Sequence, residues 1–188
     1  MGISEARAYD RAAYRRNLLA AALPTLAVPL VIGGVMLALG VALSVGPLVA
    51  GALGWLIALA LRAPVAVAAM RFAGSQERAQ PWITASSGPL EEGVRLGVLL
   101  VVGRDLSTAA AVGLGWAAIE VVYSLVNGAA MLSLLGRDDP EAQQVRAFMP
   151  IPAALEPSAP WWGLIERITA SVLHIGFTLI LAAQPLLA

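Results

Sequence analysis

Cysteine is absent from the 188 residues, which excludes disulfides, thiol nucleophiles and cysteine-ligated metals. Lysine is absent as well, so every basic side chain is arginine and lysine Schiff-base or lysine-base chemistry drops out. Charge is scarce. Asp, Glu and Arg make up only 13% of the chain against 59% apolar residues, whereas a soluble domain is nearer a quarter charged and half apolar. The net charge is zero, giving no support to a nucleic-acid partner. Histidine occurs once, as His174. What remains is the composition of an integral membrane protein, with the lipid bilayer as its main surroundings.

The hydropathy pattern predicts an all-α fold: a polytopic transmembrane helix bundle of about five spans. A polar segment, residues 1–17, carries Arg7, Arg11 and Arg15 at the spacing of one face of a cytoplasmic amphipathic helix. A single transmembrane domain, residues 18–188, follows, with spans expected at 18–43, 47–70, 81–103, 106–135 and 161–183. The first apolar run is too long for the core of a secretory signal and lacks a small-residue cleavage site. The segment 136–160, rich in proline and charge, reads as a loop. Trp161 and Trp162 open the last span as candidate interfacial anchors. With the N-terminus inside, Arg7, Arg11, Arg15, Arg16, Arg71, Arg78, Arg137 and Arg146 all fall on the cytoplasmic side, and Arg104 alone lies in an outer loop.

Against this background the stretch GPLEEGVRLGVLL, residues 88–100, stands out. Each charge at the centre of a span costs roughly 2.5–3.5 kcal/mol on insertion scales, and such groups usually face a bundle interior or a wet cavity. Here they are Arg62, Glu91, Glu92, Arg95, Glu120, Glu166, Arg167 and His174. At ~1.5 Å rise per residue, a third span opening at Pro81 puts Glu91 ~15 Å deep, close to the level of Glu120 and His174 on their own spans. Glu91 and Arg95 are four apart and share a face. Gly113, Trp116, Glu120, Tyr123 and Asn127 form one polar-aromatic stripe at helical spacing; Arg167, Ser171, His174 and Thr178 form another. Hydrocarbon offers such stripes no partner, so they are expected to face one another.

Plainer readings stand beside this one. A helix starting at Ser87-Gly88-Pro89 would make Glu91 and Glu92 first-turn acids favoured by the macrodipole. Arg167 near the headgroups would snorkel beside Glu166, and Arg62 would do the same or serve as an ion-pair partner. Trp116 and Tyr123 would pack, and Asn127 would bond a neighbouring helix.

Three stretches, GPLEEGVRLGVLL, GLGWAAIEVVY and LIERITASVLHIGFTLIL, resemble in their order the YhfC-like family of glutamic intramembrane endopeptidases, within the CAAX-protease and bacteriocin-processing superfamily. Glu91, Glu92 and Arg95 match the superfamily's Glu-Glu-x-x-Arg motif; Glu120 ends the glycine-rich helix; Glu166, Arg167, Ala170 and His174 match the last motif. The resemblance covers roughly residues 85 to 183. It implies an enzyme of the bacterial plasma (inner) membrane that hydrolyses a peptide or a membrane-protein substrate. Catalytic members carry a further helix with a histidine and an Asn or Asp four residues later. This chain has no second histidine, and a fragment truncated before that helix is the expectation.

The chemistry expected of these residues needs a water, a base and donors for the developing oxyanion. Glu91 is the candidate base and Glu92 its partner, with His174 orienting the water or donating to the oxyanion. Arg95, Glu120, Asn127, Glu166 and Arg167 are supporting residues. No metal or other cofactor is expected, since one histidine with carboxylates is a poor zinc set; a divalent metal is the minor alternative. The other reading is a non-catalytic membrane scaffold or transport-associated protein with buried ion pairs. The substrate and the oligomeric state are not legible.

Overall fold

A computed structural model describes residues 11–134, 136–137, 139–140, 142–143 and 160–184. Among them the secondary structure is entirely helical: α1 (Arg11–Ala38), α2 (Val45–Ala73), α3 (Gln76–Val102), α4 (Leu106–Leu134) and α5 (Pro160–Ala183). Residues 1–10 and most of the expected loop at 136–160 lie outside the described residues. Four helices, α1 from Tyr14, α2, α4 and α5 from Trp161, are long and apolar enough to cross a membrane, which marks the chain as an integral membrane protein.

Among the described residues, the all-helical fold of five helices agrees with the sequence reading, and α3 is the least apolar of the five. This helix is 27 residues long, ~40 Å at the helical rise, but its first half, QERAQPWITASSG, and its three central charges keep it outside the four. It also begins at Gln76, ahead of the expected start. Gly74, in the left-handed region at φ 70°, ends α2 and bonds back to the Met70 carbonyl, so only Gly74 and Ser75 separate the two helices. Pro81 and Pro89 therefore lie inside α3. Pro89 has no N–H for the Ala85 carbonyl. Just before it, the hydroxyls of Ser86 and Ser87 donate to the Ile83 and Thr84 carbonyls at 2.9 and 2.8 Å, turning polar side chains back onto the helix backbone.

The chain divides into two compact units: Val28–Glu120 with Thr169–Ala188, and Met1–Ala27 with Val121–Ile168. In the first, α4 is the core helix. Ala109 to Ala117 are buried throughout, and all but Val112, Leu114 and Trp116 are alanine or glycine. Small residues let the neighbouring backbones come close, the usual basis of helix packing in lipid. A Cβ on Gly51 of α2 would lie 2.8 Å from the Val112 carbonyl carbon and closer still to its oxygen; one on Gly115 would meet the Leu48 carbonyl in the same way. Gly113 likewise admits α5 at Ile175 and Thr178. Leu99, Ala109, Val112 and Leu181 form one apolar cluster; Trp55, Ala58 and Trp116 form a second. α2 and α3 pack antiparallel, with Arg62 level with Glu91 and Gly54 against Val98.

In the second unit, Tyr14 donates to the Gly128 carbonyl at 3.4 Å, and Leu18 fills the space that a Cβ on Gly128 would need. Arg167 donates to Ser124 at 3.0 Å and pairs with Glu166 at 2.5 Å. Trp161 and Trp162 stack at 4.2 Å and are both exposed at the head of α5.

Candidate functional site

A polar cluster forms within the first unit, built by α2, α3, α4 and α5. At its centre is Arg95, whose side chain is 0% exposed. Its Nη1 donates to Glu92 one turn earlier on α3, and its Nη2 lies 3.0 Å from His174 Nδ1 on α5 and 3.9 Å from Glu91 Oε2. Glu91 pairs through its other oxygen with Arg62 of α2. His174 Nε2 is hydrogen-bonded to Glu120 Oε2 on α4. The Arg95 guanidinium lies over the face of Trp116, 4.4 Å from Cζ to the ring centroid, well within the range of a cation–π contact.

Depth follows from the helix bounds. Arg62, Glu91, Glu92, Arg95, Glu120 and His174 each fall within ~9 Å, measured along the axis, of the midpoint of their own helix. Glu91 and Glu92 are 15 and 16 residues past the start of α3, so the first-turn reading of these acids does not hold. Their place is at mid-helix because α3 begins at Gln76, and it is there that insertion of a charge costs most. Partners offset the cost: each of Glu91, Glu92 and Glu120 has a cationic or imidazole neighbour. The carboxylates stay partly reachable, with side chains 17% exposed at Glu91 and 27% at Glu92, beside a 35% exposed Arg62.

Among the described residues, three buried donors, Arg62 Nε, Arg95 Nε and Trp116 Nε1, meet no hydrogen-bond partner. An unmet buried donor costs about 1–3 kcal/mol, so the cluster is held at some expense to the fold. Trp116 meets Arg95 with its ring face, while its N–H goes unused.

The stripes read from the sequence face inward over part of their length. Gly113, Trp116 and Glu120 look into the first unit, and Ser171 and Thr178 are buried beside His174; the Thr178 hydroxyl donates to the His174 carbonyl at 2.6 Å. Tyr123 and Asn127 are exposed, because the stripe continues past Glu120 into the part of α4 that belongs to the second unit. Asn127, Glu166 and Arg167 belong to that second unit. Arg62 was legible only as a snorkeller or ion-pair partner, and its pairing with Glu91 spans 29 residues of sequence. The Trp116–Arg95 stack was missed; the signal that could have found it is the spacing of Trp116 four residues before Glu120, on the same face.

Among the described residues, no three His, Asp or Glu side chains are grouped closely enough to hold a metal ion. Outside the spans, Asp105 caps α4 by accepting from the Thr108 N–H at 3.0 Å, and hydrogen bonds from Thr108 hold its carboxyl below the usual range. Asp139 accepts two hydrogen bonds from Arg137, at 2.7 and 3.1 Å, and one from Ala142 N. The Arg137 bonds, followed by that backbone bond, lower its pKa to about 2. No protein-family model, curated protein or solved structure matches this chain.

Proposed function

We propose that the cluster is the catalytic centre of an intramembrane endopeptidase of the kind its motifs resemble, acting on a peptide or a membrane-anchored segment. One observation carries this reading. Two adjacent acids, an arginine and the sole histidine, brought from two helices, are joined by direct contacts near mid-depth, where charges are costly and are usually functional.

In this mechanism Glu91 takes a proton from a water, whose oxygen bonds to the scissile carbonyl carbon. The tetrahedral intermediate then loses the C–N bond as Glu91 returns the proton to the leaving nitrogen. Arg62 and Arg95 hold the Glu91 carboxylate in place, one at each oxygen. Glu92, paired with Arg95, is the second carboxylate and exchanges protons with Glu91. His174 and Glu120 fix Arg95 from the α4–α5 side. The reaction draws on these side chains alone, so chelators should leave it intact.

The N-terminus is assigned to the cytoplasm of a bacterial plasma membrane from the arginine distribution. α3 runs antiparallel along α2 and joins it to α4, so in this reading it crosses the bilayer between two apolar spans.

The test is cleavage of a peptide library by the chain in detergent and in proteoliposomes, read by mass spectrometry. Glu91→Gln should lower cleavage by ~10²–10⁴-fold, the usual effect of losing a positioned acid–base group. A parent that stays folded and cleaves nothing would favour a second reading. In that one the cluster is a buried ion-pair lattice holding a scaffold or transport-associated protein, as the partner found for each acid would allow.

A further inference from the structure

We propose that His174 is held as one neutral tautomer, its proton on Nε2, by the Arg95 guanidinium seated on Trp116, and that Trp116 is a positioning residue of the cluster. Arginine has only donors and does not lose its proton in proteins. At 3.0 Å from Arg95 Nη2, His174 Nδ1 can only accept, so Nδ1 carries no hydrogen. The ring's proton then sits on Nε2 and is donated to Glu120 Oε2. Both ring nitrogens are thereby engaged, and a second proton on Nδ1 would place N–H against N–H.

Four contacts hold the arginine that sets this state: Glu92 at Nη1, His174 at Nη2, Glu91 at 3.9 Å from Nη2, and the ring of Trp116 at 4.4 Å from Cζ. Trp116 is fully buried, its ring centroid lies 6.4 Å from that of His174, and it packs with Trp55 and Ala58. Among the described residues its Nε1 meets no hydrogen-bond partner. The side chain therefore acts on the cluster through its π face, which attracts the cation and fixes the guanidinium plane. Removing the face frees that plane to tilt away from Nδ1, and the imidazole proton is no longer confined to Nε2.

For the hydrolysis proposed above, on which only this consequence rests, the imidazole does not compete with Glu91 for the proton of water. His174 is a positioning residue that ties Arg95 to Glu120.

The test uses the absence of any other histidine. The full chain, labelled with ¹⁵N-histidine and held in lipid nanodiscs at neutral pH, gives a single imidazole in long-range ¹H–¹⁵N correlation spectra. The protonated nitrogen should be the one coupled to both carbon-bound ring protons, which identifies Nε2. Trp116→Leu should give both tautomers in comparable amounts, and Trp116→Phe, which restores a ring face, should return the single form. A parent with its proton on Nδ1, or with averaged signals, overturns the proposal without recourse to any variant. A Trp116→Leu spectrum identical to the parent's removes Trp116 from it. No substrate enters the measurement, so its outcome is independent of whether the chain cleaves peptides.

Discussion

Replacing Arg95 with methionine keeps much of the aliphatic stem and removes the guanidinium. Three neighbours lose a partner, and they lose it unequally. Glu91 keeps Arg62, so its loss is the weaker contact at 3.9 Å. With an effective dielectric of 20, that contact is worth about 4 kcal/mol before the desolvation of Arg95 is subtracted. Glu92 has no other partner in the cluster and is 27% exposed, so solvent relieves only part of its stranded charge. His174 Nδ1 loses its donor. Breaking a buried pair from one side typically costs 3–5 kcal/mol, and the partial exposure of Glu92 places the expectation at the lower end, about 3 kcal/mol. The discriminating variant is the double one, Arg95→Met with Glu92→Gln, which removes the stranded charge and should recover at least half of the loss. Reversible unfolding by SDS in mixed micelles, followed by helix circular dichroism, measures both. If Arg95→Met unfolds at the parent's SDS fraction, or if the double variant is no better than the single, Arg95 is not the electrostatic centre of the cluster.

Further predictions concern the scaffold and the loops. Gly51→Ala should destabilise by about 1–3 kcal/mol, because its Cβ meets the Val112 backbone, which has no side-chain freedom with which to yield. Gly34→Ala, with nothing within 4 Å, should gain about 0.5–1 kcal/mol, so opposite shifts in the same SDS titration test the close approach of α2 and α4. Arg137→Gln should raise the Asp139 carboxyl from about 2 back toward 3.8, as followed by NMR titration. Because the native pKa is depressed, the stabilisation from Asp139 is complete above the unfolded value and is lost as pH falls toward about 2; in the variant, where the gap to 3.8 narrows, that contribution shrinks at every pH and stability depends less on pH in this window.

The helical class was legible because lipid forces every spanning backbone group into internal hydrogen bonds, so long apolar runs have one outcome. α2, α4 and α5 begin and end close to where hydropathy placed them. α3 was less legible at its start. Residues such as Gln76, Glu77 and Gln80 lower the hydropathy, and the informative signal was the local one, Gly74 followed by Ser75. Glu91, Arg95, Glu120 and His174 could be brought to one level by counting residues and faces, since unpaired charges in apolar helices must find each other. Counting does not say who pairs with whom. Arg62 with Glu91 and Arg167 with Ser124 depend on how helices rotate against their neighbours, which residue spacing along one helix does not give. Trp116 looked like packing, and it does pack; its second use depends on a cation from another helix.

The meeting of Gly51 with the Val112 carbonyl, and of Gly115 with that of Leu48, has a thermal consequence. A glycine hydrogen takes the position where a Cβ would stand, so each carbonyl oxygen receives a weak Cα–H contact in place of a side chain. Soluble cores adhere because water rejects them, and that rejection weakens on cooling. Hydrocarbon exerts no such rejection on α2 and α4; their junction is held by dispersion and dipoles, which are enthalpic. The seam that underlies the ion-pair cluster should therefore show no loosening in the cold, and its strength should depend on how well the surrounding acyl chains pack rather than on the structure of water.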